Sequence, residues 1–251
     1  MSTLRICLWS GPRNVSTALL YSFAQRDDTR VIDEPLYAHY LSVSGAEHPG
    51  RDDVLAALEH DGETVVRDVI LGECDRPILF LKQMAHHLLD LDLDFMSQTT
   101  NVLLIRDPTE VLTTLVHQVP NPSIRDTGLD QQCDMLQDLR DRGQDPVVLD
   151  SRELLLDPRG VIGQLCERIG IEFDTCMLSW PAGAREEDGV WAQHWYQNVH
   201  RSTGFMPYKP KTTPFPNELF PLLEECRPYY AYLYQEAIRA RPEAHESTDS
   251  N

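Results

Sequence analysis

Lysine is scarce in this chain of 251 residues. Only Lys82, Lys209 and Lys211 stand among 22 basic residues, against 40 acidic ones, for a formal net charge of −18. So acidic a protein argues against nucleic acid or an anionic membrane as partner, since both are polyanions. No apolar run approaches the ~18 residues of a membrane-spanning helix. The six cysteines (7, 74, 133, 166, 176 and 226) form no C-x-x-C pair and no Cys/His ligand spacing. Buried free thiols are therefore expected rather than disulfides or zinc. The opening residues, MSTLRIC, run straight into an apolar strand pattern, so no signal peptide is expected and the chain is placed in the cytoplasm. There is no internal repeat, no linker and no second core. The expectation is one domain over 1–241, with a polar, disordered tail at 242–251.

What is present is organised around Leu4 to Phe23, LRICLWSGPRNVSTALLYSF. A short apolar run suits a buried parallel strand, Ser10, Gly11 and Pro12 force a turn, and an amphipathic helix follows with Asn14 as its expected N-cap. Strand, tight turn and helix gather unpaired backbone N–H groups and the positive end of a helix dipole at one point, which makes an anion site. Arg13 can fork onto phosphate or sulfate oxygens, and the hydroxyls of Ser16 and Thr17 stand in the first helical turn. The loop is not G-x-x-x-x-G-K-[ST], because it lacks the second glycine and the lysine.

Further along, apolar runs predict strands at 29–34, 77–83 (PILFLKQ), 101–106 (NVLLIR) and 146–150 (PVVLD). Helices are expected over 53–59, 63–71, 84–91, 129–142, 174–180 and 187–200, and over 217–239 with a break at Pro228. Asp107-Pro108 and Asp157-Pro158 each supply a cap and a proline at the first helical position. Strands alternating with helices predict an α/β fold, a three-layer parallel sheet of the P-loop type with helices on both faces and ligands at the strands' C-terminal ends. Arg13, Glu34, Lys82 and Arg106 then each end a strand and share one rim. In so acidic a protein, that gathering of cations suits a polyanionic ligand.

On these residues the chain resembles the sulfotransferases that use 3′-phosphoadenosine 5′-phosphosulfate (PAPS). S-G-P-R-N-V-S-T resembles their 5′-phosphosulfate loop. Arg106 with a hydroxyl residue at Thr114 resembles their 3′-phosphate motif, and VVLDSRELLLDPRGVIGQLCERIGI is similar to a later stretch of the family. D-E-P-L-Y-A-H-Y-L and H-W-Y-Q-N-V-H-R-S-T-G-F look like a subgroup that includes sulfotransferase-like domains attached to plant aminotransferase-like proteins. The resemblance implies that Arg13, Asn14, Ser16 and Thr17 hold the 5′-phosphosulfate. Arg106 and Thr114 would hold the 3′-phosphate, with Arg201 reaching it, and Lys82 would lie beside the sulfuryl group. It implies a general base at Glu34, with His86 and then His39 behind it, a small-molecule acceptor and no metal. Val15 stands where relatives often carry glycine, so the loop is expected to close less tightly.

The segment Trp191 to Phe205 reads either as a lid over the site or as an amphipathic core helix. Two other functions remain open at this level. One is a non-catalytic 3′-phosphonucleotide-binding module. The other is a P-loop kinase, against which the missing G-K-[ST] counts.

Overall fold

A computed structural model of the chain describes residues 3–117, 119, 121–212 and 214–241. The tail expected at 242–251 lies outside the described residues. The first half runs β1 (Leu4–Ser10), α1 (Ser16–Phe23), β2 (Thr29–Asp33), α2 (Tyr37–Ser44), α3 (Arg51–Ala57), α4 (Gly62–Val65), β3 (Ile78–Met84), β4 (Thr100–Ile105) and α5 (Pro108–Leu115). The second runs α6 (Ile124–Thr127), α7 (Leu129–Asp141), β5 (Val147–Asp150), α8 (Ser151–Leu156), α9 (Pro158–Ile169), α10 (Ala192–Trp195), α11 (Phe220–Glu236) and β6 (Ala237–Ile238).

The six strands form one sheet in the order β2-β3-β1-β4-β5-β6, and every pairing is parallel. β1 is central because its buried residues are apolar on both faces. Ile6 and Leu8 join a core with α1 and α9, while Cys7 and Trp9 join one with α5, α7 and α11. These are the three layers expected of an α/β fold with covered parallel strands. The chain leaves β1 toward β2 and β3 on one side and reaches β4 and β5 on the other. The crevice at the C-terminal end of β1 therefore lies at a topological switch point, where such folds bind ligands.

Local sequence accounts for most elements. Asp107 and Asp157 cap their helices, accepting from Thr109 N at 2.7 Å and Gly160 N at 2.8 Å, with Pro108 and Pro158 at the first helical positions. The 63–71 stretch is helical, as α4 followed by a π turn at Val66–Ile70. All six cysteines are free, and Cys7, Cys133, Cys166 and Cys226 are buried.

Other boundaries differ from expectation. The helix expected at 84–91 is a single 3-10 turn at Ala85–His87, because β3 extends to Met84 in register with Ser10. The stretches 174–180 and 187–200 hold only short turns, Thr175–Leu178, α10 and Val199–Arg201. Trp180 is buried in the core beside α1 and α9, whereas Trp191 and Tyr196 are buried together against α2, where the Trp191 indole donates to Tyr196 Oη at 3.2 Å. Helix α11 runs unbroken through Pro228, held by the buried Leu223, Cys226 and Leu233 on either side. It ends in β6, a two-residue strand with no pattern of its own.

Candidate functional site

The turn after β1 is fixed by its surroundings. A Cβ on Gly11 would lie 2.2 Å from the Thr127 carbonyl oxygen, so the chain passes there only as glycine. Asn14 is not the N-cap; Val15 holds that position, and no side chain caps α1. Asn14 instead bolts the turn to the sheet. Its Nδ2 donates to Leu104 O at 2.9 Å, and its Oδ1 accepts from Val15 N at 2.9 Å and from the Ser151 hydroxyl. A cap is worth ~1 kcal/mol. Full burial of a Leu or Phe side chain contributes ~1.5–3 kcal/mol, and α1 buries Leu19, Leu20 and Phe23 completely. Packing therefore holds the helix, and its first N–H groups are left without a side-chain cap.

Four non-glycine residues among those described have left-handed backbone, and Arg13 (φ 56°) and Glu34 (φ 41°) are two of them. Such conformations cost ~1–3 kcal/mol and gather at functional sites. Arg13 and Glu34 both line one cavity of about 680 Å³, together with Ser16, Thr17, Lys82, His86 and Arg106. The buried Nε of Arg13 has no partner among the described residues. Burial and the neighbouring Arg106 guanidinium both push Arg13 below its ordinary value.

Arg106 leaves the end of β4 and donates from Nη1 to Arg13 O at 2.5 Å and from Nε and Nη2 to Glu110 Oε2 at 2.9 and 2.8 Å. The other Glu110 oxygen accepts from Tyr208 Oη at 2.7 Å. Lys211, absent from the sequence-derived set, donates to Glu110 O at 2.6 Å and to Thr113 Oγ1 at 2.7 Å. Burial first, and then Arg106, lower its pKa. The Thr114 hydroxyl is turned into its own helix, donating to Val111 O at 2.9 Å, and Thr114 does not line the cavity. Arg201 is exposed, tied to Asn198 Oδ1 at 2.6 Å, and also lies outside the lining.

The opposite wall holds a buried ionic network. Asp33 pairs in register with Lys82 across β2 and β3, so their side chains share a face. Successive residues of a strand point to opposite faces, yet Glu34 also reaches Lys82 because its left-handed backbone turns it back. Lys82 Nζ donates to Asp33 Oδ1 at 2.8 Å, Glu34 Oε1 at 2.5 Å and Tyr196 Oη at 2.8 Å. Lysine has three N–H donors, and all three are used. These contacts lie within the protein, and Lys82 still lines the cavity. The two carboxylates beside Lys82 drive its pKa well above the ordinary value despite burial. Burial pushes Glu34 up, opposed by Lys82 and reinforced by Asp33. Glu34 Oε2 makes no hydrogen bond among the described residues, and the Glu34 side chain keeps 11% exposure on the cavity wall.

The remaining candidates are histidines. His86 lines the cavity, and burial pulls its pKa down to about 4. His87 is buried between the parallel rings of Tyr37 and Tyr40, with centroids at 5.0 and 4.7 Å. His39 donates from Nε2 to Leu89 O at 2.7 Å and does not line the cavity. The sequence-derived set therefore splits. Arg13, Asn14, Ser16, Thr17, Glu34, Lys82, His86 and Arg106 line one cavity, whereas Thr114, Arg201 and His39 do not. Of the segment 191–205, Trp191 and Tyr196 are buried and line the cavity too, so the lid and core readings meet in the same side chains.

A family model described as "Sulfotransferase domain" matches residues 4–237, and the chain belongs to that family. Branched-chain-amino-acid aminotransferase-like proteins 2 and 1 of Arabidopsis thaliana are 40% and 42% identical to it over 226 residues, 90% of this chain. The chain spans 40% of the length of these relatives, matching the subgroup that its motifs resemble. Among solved structures, the sulfotransferase domain from the curacin biosynthetic pathway superposes with a TM-score of 0.53 at 14% identity, covering 94% of this chain and 99% of that one. A sulfotransferase from Alicyclobacillus acidocaldarius gives 0.51 at 14% identity, covering 94% and 96%. At such identities these likenesses concern the fold alone.

Proposed function

We propose that this member of the sulfotransferase domain family moves a sulfuryl group from PAPS to a hydroxyl or amine of a small acceptor. The observation that carries the reading is the meeting, in one cavity, of the strained residues Arg13 and Glu34, one a cation and the other a carboxylate with an open oxygen. The residues present suit the donor. The unpartnered Arg13 Nε, the uncapped start of α1 and the hydroxyls of Ser16 and Thr17 make a cradle for the 5′-phosphosulfate. Arg106, with Lys211 beside it, offers cationic donors for the 3′-phosphate, and Thr114 joins them if its hydroxyl turns out of the helix.

As donor substrate, PAPS supplies the sulfuryl group and leaves as adenosine 3′,5′-bisphosphate. Glu34 takes the acceptor's proton at Oε2 while Arg13 offsets the charge that develops on the leaving oxygen. His86 is the weaker base, since burial keeps it neutral with a pKa of about 4. Lys82 serves as the counter-ion of Glu34. A fixed set of cations fills the role that Mg²⁺ has in kinases.

A second reading, a nucleotide-binding module without catalysis, is favoured by one observation: every N–H of Lys82 is committed to the protein. Calorimetric titration with adenosine 3′,5′-bisphosphate and with 5′-AMP, both without metal, tests the donor site that the two readings share. The bisphosphate is expected to bind at least ~10-fold tighter, since a charge-assisted hydrogen bond contributes ~1.5–3 kcal/mol. Equal affinities would remove the 3′-phosphate site, and with it both readings.

A further inference from the structure

We propose that Asp33 and Tyr196 are positioning residues for Glu34, acting through Lys82. The inference rests on the transfer reading above for its functional meaning, but its geometry stands alone.

The hydrogen-bond directions in the network are forced. Lys82 and the Trp191 indole can only donate, and both approach the Tyr196 oxygen, at 2.8 and 3.2 Å. The Tyr196 proton must then go to Asp33 Oδ2, at 2.6 Å. Asp33 in turn accepts from Lys82 on its other oxygen, at 2.8 Å. With two of its N–H groups fixed by Asp33 and Tyr196, Lys82 presents the third to Glu34 Oε1 at 2.5 Å. That leaves Glu34 Oε2 as the one carboxylate oxygen of Asp33 and Glu34 without a hydrogen bond among the described residues. A buried ion pair keeps its geometry only when its remaining donors and acceptors are satisfied, and here Tyr196 satisfies them. Tyr196 comes from the late segment of the chain and is 163 residues from Asp33 in sequence. The base is therefore oriented only when that segment is docked.

The charged and titratable groups around Glu34 come from every element packed on it: Asp33 on β2, Lys82 on β3, Tyr37 on α2 and Tyr196 on the late segment, with Arg13 across the cavity. Burial keeps Tyr37 and Tyr196 protonated, so the balance on Glu34 is set by Asp33 and Lys82. The two proposed residues act with opposite sign. Asp33→Asn removes a like charge and leaves Glu34 as the only carboxylate on Lys82, so the Glu34 midpoint falls. Tyr196→Phe strips Asp33 of its second donor and draws Lys82 toward Asp33, so the Glu34 midpoint rises. Shifts of about one pH unit are expected, the size of a neighbouring charge or hydrogen-bond effect.

The experiment reads the Glu34 carboxyl by carbon NMR titration of the full chain, assigned with Glu34→Gln, alongside the acid limb of the kcat/KM profile for sulfate transfer. Opposite shifts in the two variants, matched by the acid limb, are the expected result. An unmoved midpoint in either variant, or shifts of the same sign, overturns the positioning role. Opposite NMR shifts in a chain that transfers sulfate to no acceptor uphold the positioning of Glu34 and overturn the transfer reading instead. Because Tyr196→Phe deletes only a hydroxyl, it remains informative if Asp33→Asn fails to fold.

Discussion

Arg106 Nη1 donates to the carbonyl oxygen of Arg13 at 2.5 Å, tying the end of β4 to the turn after β1. One guanidinium thus both faces the cavity and holds the loop that carries the other. Arg106→Ala is expected to do two things at once. It removes the preference for adenosine 3′,5′-bisphosphate over 5′-AMP, and it weakens binding of both nucleotides through the freed loop. Calorimetry on the variant checks this. Loss of the preference with full retention of 5′-AMP affinity would mean that the Arg13 carbonyl contact has no part in shaping the loop.

Gly11→Ala is expected to destabilise the fold, because the new Cβ meets a main-chain oxygen, Thr127 O, at 2.2 Å. Overpacking of this kind costs ~1–3 kcal/mol. For a chain of this size that is roughly 2–12 °C in Tm. Differential scanning calorimetry is the measurement, and an unchanged Tm would show that the turn moves freely against α6.

Lys82→Met leaves Asp33 and Glu34 buried together with no cation. Breaking a buried pair by removing one partner costs ~3–5 kcal/mol. Urea unfolding at neutral pH should show a loss of that order, partly regained at low pH where the carboxylates take up protons. A loss below ~1 kcal/mol, the range of exposed pairs, would mean that water reaches the network.

The expected acid sensitivity follows from the buried histidines. Burial lowers the His86 pKa from 6.5 to about 4 in the folded chain, so between these values the unfolded state binds more protons. Stability is then lost as the pH falls from about 6.5 to about 4. Asp150 acts with the opposite sign, because burial raises its pKa to about 6. It therefore favours the folded state as the pH falls through that value. The His86 share is isolated by comparing the pH dependence of Tm in wild type and His86→Gln, and the variant should have the flatter curve across this window. Parallel curves would place His86 in contact with water in the folded state.

Much of this organisation is legible in the sequence, for definite reasons. Buried parallel strands need unbroken apolar runs, so LRICLW, PILFLKQ, NVLLIR and PVVLD stand out, and the residues that end them fall on one rim. Glu34 and Arg13 are legible in that way. Asp33 is not legible, because an acidic residue inside a strand gives no hint of a partner on the neighbouring strand. The Asp33–Tyr196 bond joins residues 163 apart and leaves no local trace. Lys211 sits in a Pro-rich loop whose docking on α5 is purely tertiary. The N-cap expected at Asn14 fails because a cap and a cross-sheet bolt call for the same side chain. Only the position of Leu104 O distinguishes the two roles.

The most direct test of the account is single-turnover transfer of labelled sulfate from PAPS, by wild type and by Glu34→Gln, across alcohols, phenols, sugars and amines. The account predicts transfer to at least one acceptor by wild type, and a rate ~10²–10⁴-fold lower in the variant, the usual cost of losing a general base. Affinity for adenosine 3′,5′-bisphosphate should be the same in both. Transfer by Glu34→Gln at the wild-type rate would contradict the role given to Glu34. Tight nucleotide binding by wild type without transfer to any acceptor would contradict the enzyme and leave the binding module.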